Sequence, residues 1–128
     1  MQFKIKIRKT DTAFSRYIRV RDGLTCQYCM RRYSQDDARN LGCSHYFGRG
    51  RESTRFDPEN CVSLCTLPCH SQIGHGEKRD EYKKLMIKKL GERGLALLEL
   101  RANQYKKRDD AMDEIIIKEL LKEVKERW

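Results

Sequence analysis

Apolar and charged residues alternate at the start of the chain, with Phe3, Ile5 and Ile7 set against Lys4, Lys6 and Arg8. This two-residue period predicts a strand over residues 2–9 with one wet face. Asp11 then offers a helix N-cap. Phe14, Tyr17, Ile18 and Val20 supply an apolar side, Arg16, Arg19 and Arg21 the opposite side, and Gly23 a stop. Residues 24–75 have no long periodic run, and glycine is frequent. From about residue 77 the pattern becomes helical. Tyr82, Leu85, Met86 and Leu90 predict one helix, and Leu95, Leu97, Leu98 and Leu100 a second after a Gly91–Gly94 turn. Ile116, Ile117, Leu120, Leu121, Val124 and Trp128 predict a third, starting near Asp109 or Asp113.

The aperiodic segment holds all 6 cysteines and all 3 histidines. Such a segment is organised by fixed ligands in place of a large core. Composition agrees: charged residues make up 37%, apolar residues 38%, and the core should be modest for 128 residues. The formal charge of +9 favours a polyanionic partner, of which nucleic acid is the usual one. The excess lies mainly before residue 76, with 13 Lys/Arg against 7 Asp/Glu, compared with 15 against 12 after it. The start, MQFKIKIRKT, lacks the apolar stretch of a secretory signal. No run approaches the roughly 18 apolar residues of a membrane span. The expectation is an intracellular protein with reduced thiols, whose clustered cysteines are metal ligands before they are disulfides.

Cys26-Gln27-Tyr28-Cys29 is a C-x2-C turn, half of a tetrahedral zinc site. Cys65 and Cys69 are the expected second half, at C-x3-C spacing, with Cys61-x3-Cys65 as the alternative. Cys43 has no assigned role. No βαβ pattern surrounds the C-x2-C, which argues against a redox motif. Between the cysteine pairs lies a second constellation. His45 sits on a presumed first strand, Asn60 follows an Asp57-Pro58 turn, and His70 adjoins Cys69 where a helix should begin.

These features resemble the HNH endonucleases, whose pattern is a histidine on the first strand, an asparagine entering the second and a histidine at the helix start. Within that superfamily the chain is most similar to the phage recombination nucleases of the NinG (Rap) family. The similarity is carried by Tyr17-Ile18-Arg19-x-Arg21-Asp22, Cys26-x2-Cys29, Ser44-His45-Tyr46 and Arg55-Phe56-Asp57-x-x-Asn60 followed by Cys65. It continues through Tyr82, Leu85, Ile87 and Leu90-Gly91, and spans residues 14 to about 92. Two features depart from the pattern. Ser44 stands where many HNH enzymes have a metal-binding Asp, and the last cysteine pair is C-x3-C where C-x2-C is usual.

The resemblance implies an α+β fold: a zinc-stabilised ββα-metal core over residues 1–78, with the N-terminal strand and helix. A helical C-terminal extension over 79–128 follows and is a candidate dimerisation element. It also implies hydrolysis of DNA phosphodiesters, with branched recombination intermediates (Holliday junctions, D-loops, forks) as substrates. His45 is the expected general base, since imidazole titrates near neutrality. Asn60 and His70 are the expected ligands of a catalytic Mg²⁺ or Mn²⁺, with His75 in reserve. Arg49, Arg51 and Arg55 of the loop are expected to contact DNA phosphates. Two other readings stand beside this one: a non-catalytic zinc-binding DNA module, and a non-specific or homing-type HNH nuclease.

Overall fold

The computed structural model describes residues 5–74 and 76–127. Phe3, His75 and Trp128 lie outside them. The fold is α+β. Helix α1 spans Lys9–Arg21, strand β1 Leu41–His45, the one-turn helix α2 Glu52–Arg55 and strand β2 Cys61–Cys65. A π-type helical segment, Thr66–Gly74, interrupted at extended Leu67, follows, then α3 over Arg79–Ala102 and α4 over Asp110–Val124.

Residues 5–8 do not form the expected strand. Ile5 and Ile7 stay half exposed, at 51% and 56%, and the Lys6 carbonyl is taken by the Arg55 guanidinium instead of a strand partner. Alternation creates a strand only where an edge is available to pair with. The α1 cap also differs from expectation. Arg8 is the N-cap, and Asp11 is the third helical residue, its Oδ2 accepting the Arg8 backbone N–H at 2.7 Å. The Arg8 side chain has no acceptor to return that bond, and the Asp11 N–H donates instead to the Arg8 carbonyl at 3.0 Å.

β1 and β2 pair antiparallel, from Leu41 opposite Cys65 to His45 opposite Cys61. β2 is buried along its whole length, because helices cover both faces of the hairpin. On one face, Phe14, Tyr17, Ile18 and Val20 of α1 pack with Cys43 and Cys61, and with Ile117 and Val124 of α4. On the other, Val62, Leu64 and Ile73 pack with Tyr82, Met86, Leu95 and Leu98 of α3. The helices beyond residue 78 thus complete both clusters.

α3 is two helices in one span. Gly91 interrupts it at φ 77° and ψ 165°, a conformation that glycine adopts without Cβ strain, and the turn expected there is this break. Asp109 caps α4 by accepting the Met112 N–H at 3.1 Å. Among the described residues, no helix is long and apolar enough to cross a membrane.

Candidate metal centre and hydrolytic site

The first half of the metal centre is a tight hairpin over residues 24–33. The Cys26 N–H donates to the Arg31 carbonyl and the Met30 N–H to the Cys26 carbonyl, both at 2.9 Å, while Gln27 N–H ties the turn to Ser63 on β2 at 2.8 Å. β2 and the following helical segment bring Cys65 and Cys69 to the same point. The Sγ atoms of Cys26, Cys29, Cys65 and Cys69 all lie within 4.8 Å of one another. Cys29 Sγ and Cys65 Sγ are 3.9 Å apart, close to the roughly 3.8 Å edge of a tetrahedron with zinc–sulfur bonds of about 2.3 Å.

Cys26, Cys65 and Cys69 are buried residues and Cys29 is an exposed one. Burial, and then the neighbouring cysteines, push the Cys69 thiol well above its ordinary range. Four thiolates so close need a cation to neutralise them, and the set fits zinc. The alternative ligand, Cys61, points into the other cluster, beside Cys43.

His45 ends β1 and is partly buried. Its ring lies 6.2 Å, centroid to centroid, from that of Phe14, and its Nε2 sits 2.9 Å from the Arg55 carbonyl oxygen. Burial, followed by the charge of Arg49, lowers its pKa to about 4. The imidazole is therefore neutral at physiological pH.

Asn60 is completely buried, and its amide is committed to backbone. Oδ1 accepts the Phe47 N–H at 2.9 Å, and Nδ2 donates to the carbonyls of Phe47 and Thr54 at 2.9 and 3.1 Å. The expectation of a cation ligand at Asn60 is thus corrected: this side chain clamps the loop between the strands, and that loop carries the carbonyl that orients His45.

His70 lies on the other side of the hairpin. A Cβ added at Gly42 would meet its Nδ1 at 3.1 Å, and one added at Gly74 would lie 2.7 Å from its Cδ2 and 3.0 Å from Ser44 Oγ. The His70 ring therefore fills a slot that only two glycines leave open. Ser44 Oγ accepts a hydrogen bond from the buried Tyr82 hydroxyl at 2.8 Å. Since side chains alternate along a strand, Gly42 and Ser44 face His70 whereas Cys43 and His45 face α1. With its amide engaged by the backbone of Phe47 and Thr54, Asn60 is not placed to complete a cation site with His70.

The loop arginines divide. Arg55 is 3% exposed and grips Asp11 with two hydrogen bonds, of 3.0 and 2.6 Å, so it cannot be a phosphate contact as expected. Arg51 is exposed, stacked 5.2 Å over the Phe47 ring and bonded to Asn103 Oδ1 at 2.7 Å. Arg49 is partly exposed, 3.8 Å from Asp11. On α1, Arg19 and Arg21 are turned to backbone carbonyls, those of Ala38 and of Pro58 and Cys61 respectively.

Compared with protein families, with curated proteins and with solved structures, the chain matches none.

Proposed function

We propose that this chain is a DNA endonuclease of the HNH type, with a structural zinc on Cys26, Cys29, Cys65 and Cys69 and with His45 as general base. The observation that carries the reading is the support of His45. Its Nε2 rests on the Arg55 carbonyl, in a loop that Asn60 pins at three backbone points. With Nε2–H donating to that carbonyl, Nδ1 holds the lone pair that would take a proton from water. A fixed, neutral imidazole is what proton abstraction requires.

His70 is the remaining candidate ligand for Mg²⁺ or Mn²⁺, a cation that would supply Lewis-acid neutralisation of the phosphate. Arg49 and Arg51 are the loop cations left to hold the DNA backbone, aided by exposed Arg31, Arg32 and Arg39. The resemblance adds branched DNA as substrate and a homodimer as the form that makes paired cuts. Ile117 and Val124 of α4 are used within the chain, so a second copy would meet the exposed ridge of Met112, Ile115 and Ile116.

A second reading, a non-catalytic zinc-organised DNA module, draws on the engagement of Asn60. One experiment separates the two. Purified protein is incubated with a four-way junction or a matched linear duplex, in Mg²⁺, Mn²⁺ or EDTA. Metal-dependent cutting that His45→Ala abolishes supports the nuclease. Binding without cutting under all conditions supports the module.

A further inference from the structure

Cys43 and Cys61 take part in neither the four-cysteine centre nor the proposed hydrolysis. The β1–β2 register sets Cys61 opposite His45 and Cys43 opposite Ser63, so all three side chains share the face that α1 covers. The two sulfurs and a His45 ring nitrogen lie within 4.8 Å of one another. Both thiols are free and buried, Cys43 at 6% and Cys61 at 0% exposure. Two thiols and an imidazole at this spacing are three of the four ligands of a tetrahedral site for a thiophilic cation. His45 Nε2 is already held by the Arg55 carbonyl, which leaves Nδ1 as the ligand and fixes the ring.

We infer that Cys43, His45 and Cys61 form a second metal site, one that takes a thiophilic divalent cation such as zinc, with water in the fourth position. Binding releases the two thiol protons to solvent. The ion and two thiolates then form a neutral unit, and no net charge is buried. Burial by itself favours the protonated Cys61 thiol, and the positive charges of Arg21 and Lys89, which both donate to the Cys61 carbonyl at 2.7 and 2.8 Å, offset part of that and attract the thiolate a cation would bind. The functional consequence rests on the nuclease reading. A cation on Nδ1 occupies the lone pair that would accept the proton of water, so zinc here silences hydrolysis whereas zinc on the four cysteines permits it.

The test is metal stoichiometry on the full chain under reducing conditions. After equilibration with excess zinc and desalting, wild type should carry two zinc ions per chain. Cys43→Ser and Cys61→Ser should each carry one, with unchanged far-UV circular dichroism. Cadmium-113 NMR of the wild-type chain needs no variant. It should show two resonances at saturation, one from a four-sulfur site and one shifted upfield by a nitrogen ligand. A single resonance with one zinc per chain overturns the site, as does a second equivalent that survives both substitutions. These readouts require no cleavage, so they stand or fall independently of the nuclease assay. Where cutting is observed, excess zinc should inhibit wild type at least tenfold more than Cys43→Ser, and equal inhibition would overturn the silencing role.

Discussion

The Arg55 guanidinium and the Asp11 carboxylate form a buried two-pronged ion pair that ties the loop before β2 to the first turn of α1. Nε meets Oδ1 at 3.0 Å and Nη2 meets Oδ2 at 2.6 Å, with both residues at 4% exposure or less. Burial opposes the Asp11 charge, but the Arg55 hydrogen bond and the Arg8 backbone N–H outweigh it, and the Asp11 pKa falls below its ordinary value.

Removing one partner of such a pair leaves the other charge buried and uncompensated. Arg55→Ala should therefore cost about 3–5 kcal/mol of stability. Asp11 titrates lower in the folded state, so its contribution is present above the ordinary carboxylate pKa and is lost as pH falls through the depressed folded value. Urea midpoints measured from neutral pH into the acid range should show this loss in wild type and less of it in Arg55→Ala. Equal midpoints for the two proteins at neutral pH would refute the structural role.

The four-cysteine centre should decide whether the chain folds at all. Cys65→Ser or Cys69→Ser should lose the metal, and a structural zinc in a small module supplies on the order of 10 kcal/mol. Elemental analysis of the variants, and circular dichroism of wild type after exhaustive chelation, check this. A chain that keeps its helices with no metal bound would contradict it.

Asn60→Ala should act through the loop and not through a cation. Three hydrogen bonds to buried backbone are lost, at about 1 kcal/mol each or more where a group is left unsatisfied. Amide exchange should rise at Phe47, whose N–H donates to Asn60. Cleavage should fall, and raising Mn²⁺ should not restore it. Rescue by Mn²⁺ would return Asn60 to the ligand set.

The pH profile tests His45. With its pKa lowered to about 4, the base is neutral through the ordinary working range, so the acid limb of cleavage should fall near pH 4 and not near 6.5. Its protonation also bears on stability. The unfolded chain takes up a proton near pH 6.5 and the folded chain only near 4, so stability is full above pH 6.5 and declines from there toward 4. His45→Ala should cut activity by about 10²–10⁴-fold and remove that limb. An acid limb near 6.5 in wild type would assign it to another group.

Gly74→Ala should displace His70. The added methyl would lie 2.7 Å from His70 Cδ2, closer than real Cβ atoms come, and 3.0 Å from Ser44 Oγ, tighter than most Cβ contacts. If His70 holds a cation, apparent Mg²⁺ or Mn²⁺ affinity in cleavage should weaken about tenfold or more while zinc content stays constant. Unchanged metal dependence would remove His70 from the site.

The features legible in the sequence were those that depend on local periodicity or on ligand chemistry. The apolar stripe of α1, the break at Gly91 and the stripe of α4 follow from side-chain spacing along one segment. Cys26, Cys29, Cys65 and Cys69 were identifiable because few chemistries cluster thiols in this way. Four other features were decided by tertiary structure. Arg55 reads alike in a solvated loop and in a buried pair, and only the approach of Asp11, 44 residues away, makes it structural. Asn60 carries the same amide whether it faces a cation or the carbonyls of Phe47 and Thr54. The alternation over residues 2–9 satisfies a strand pattern but, within residues 5–8, found no edge to pair with. Cys43, His45 and Cys61 meet because one register of two strands puts them on the same face, and a shift by one residue would turn each β2 partner to the other side. Registers and long-range ion pairs are fixed by the energy of the whole packed core, which no single stretch of sequence contains.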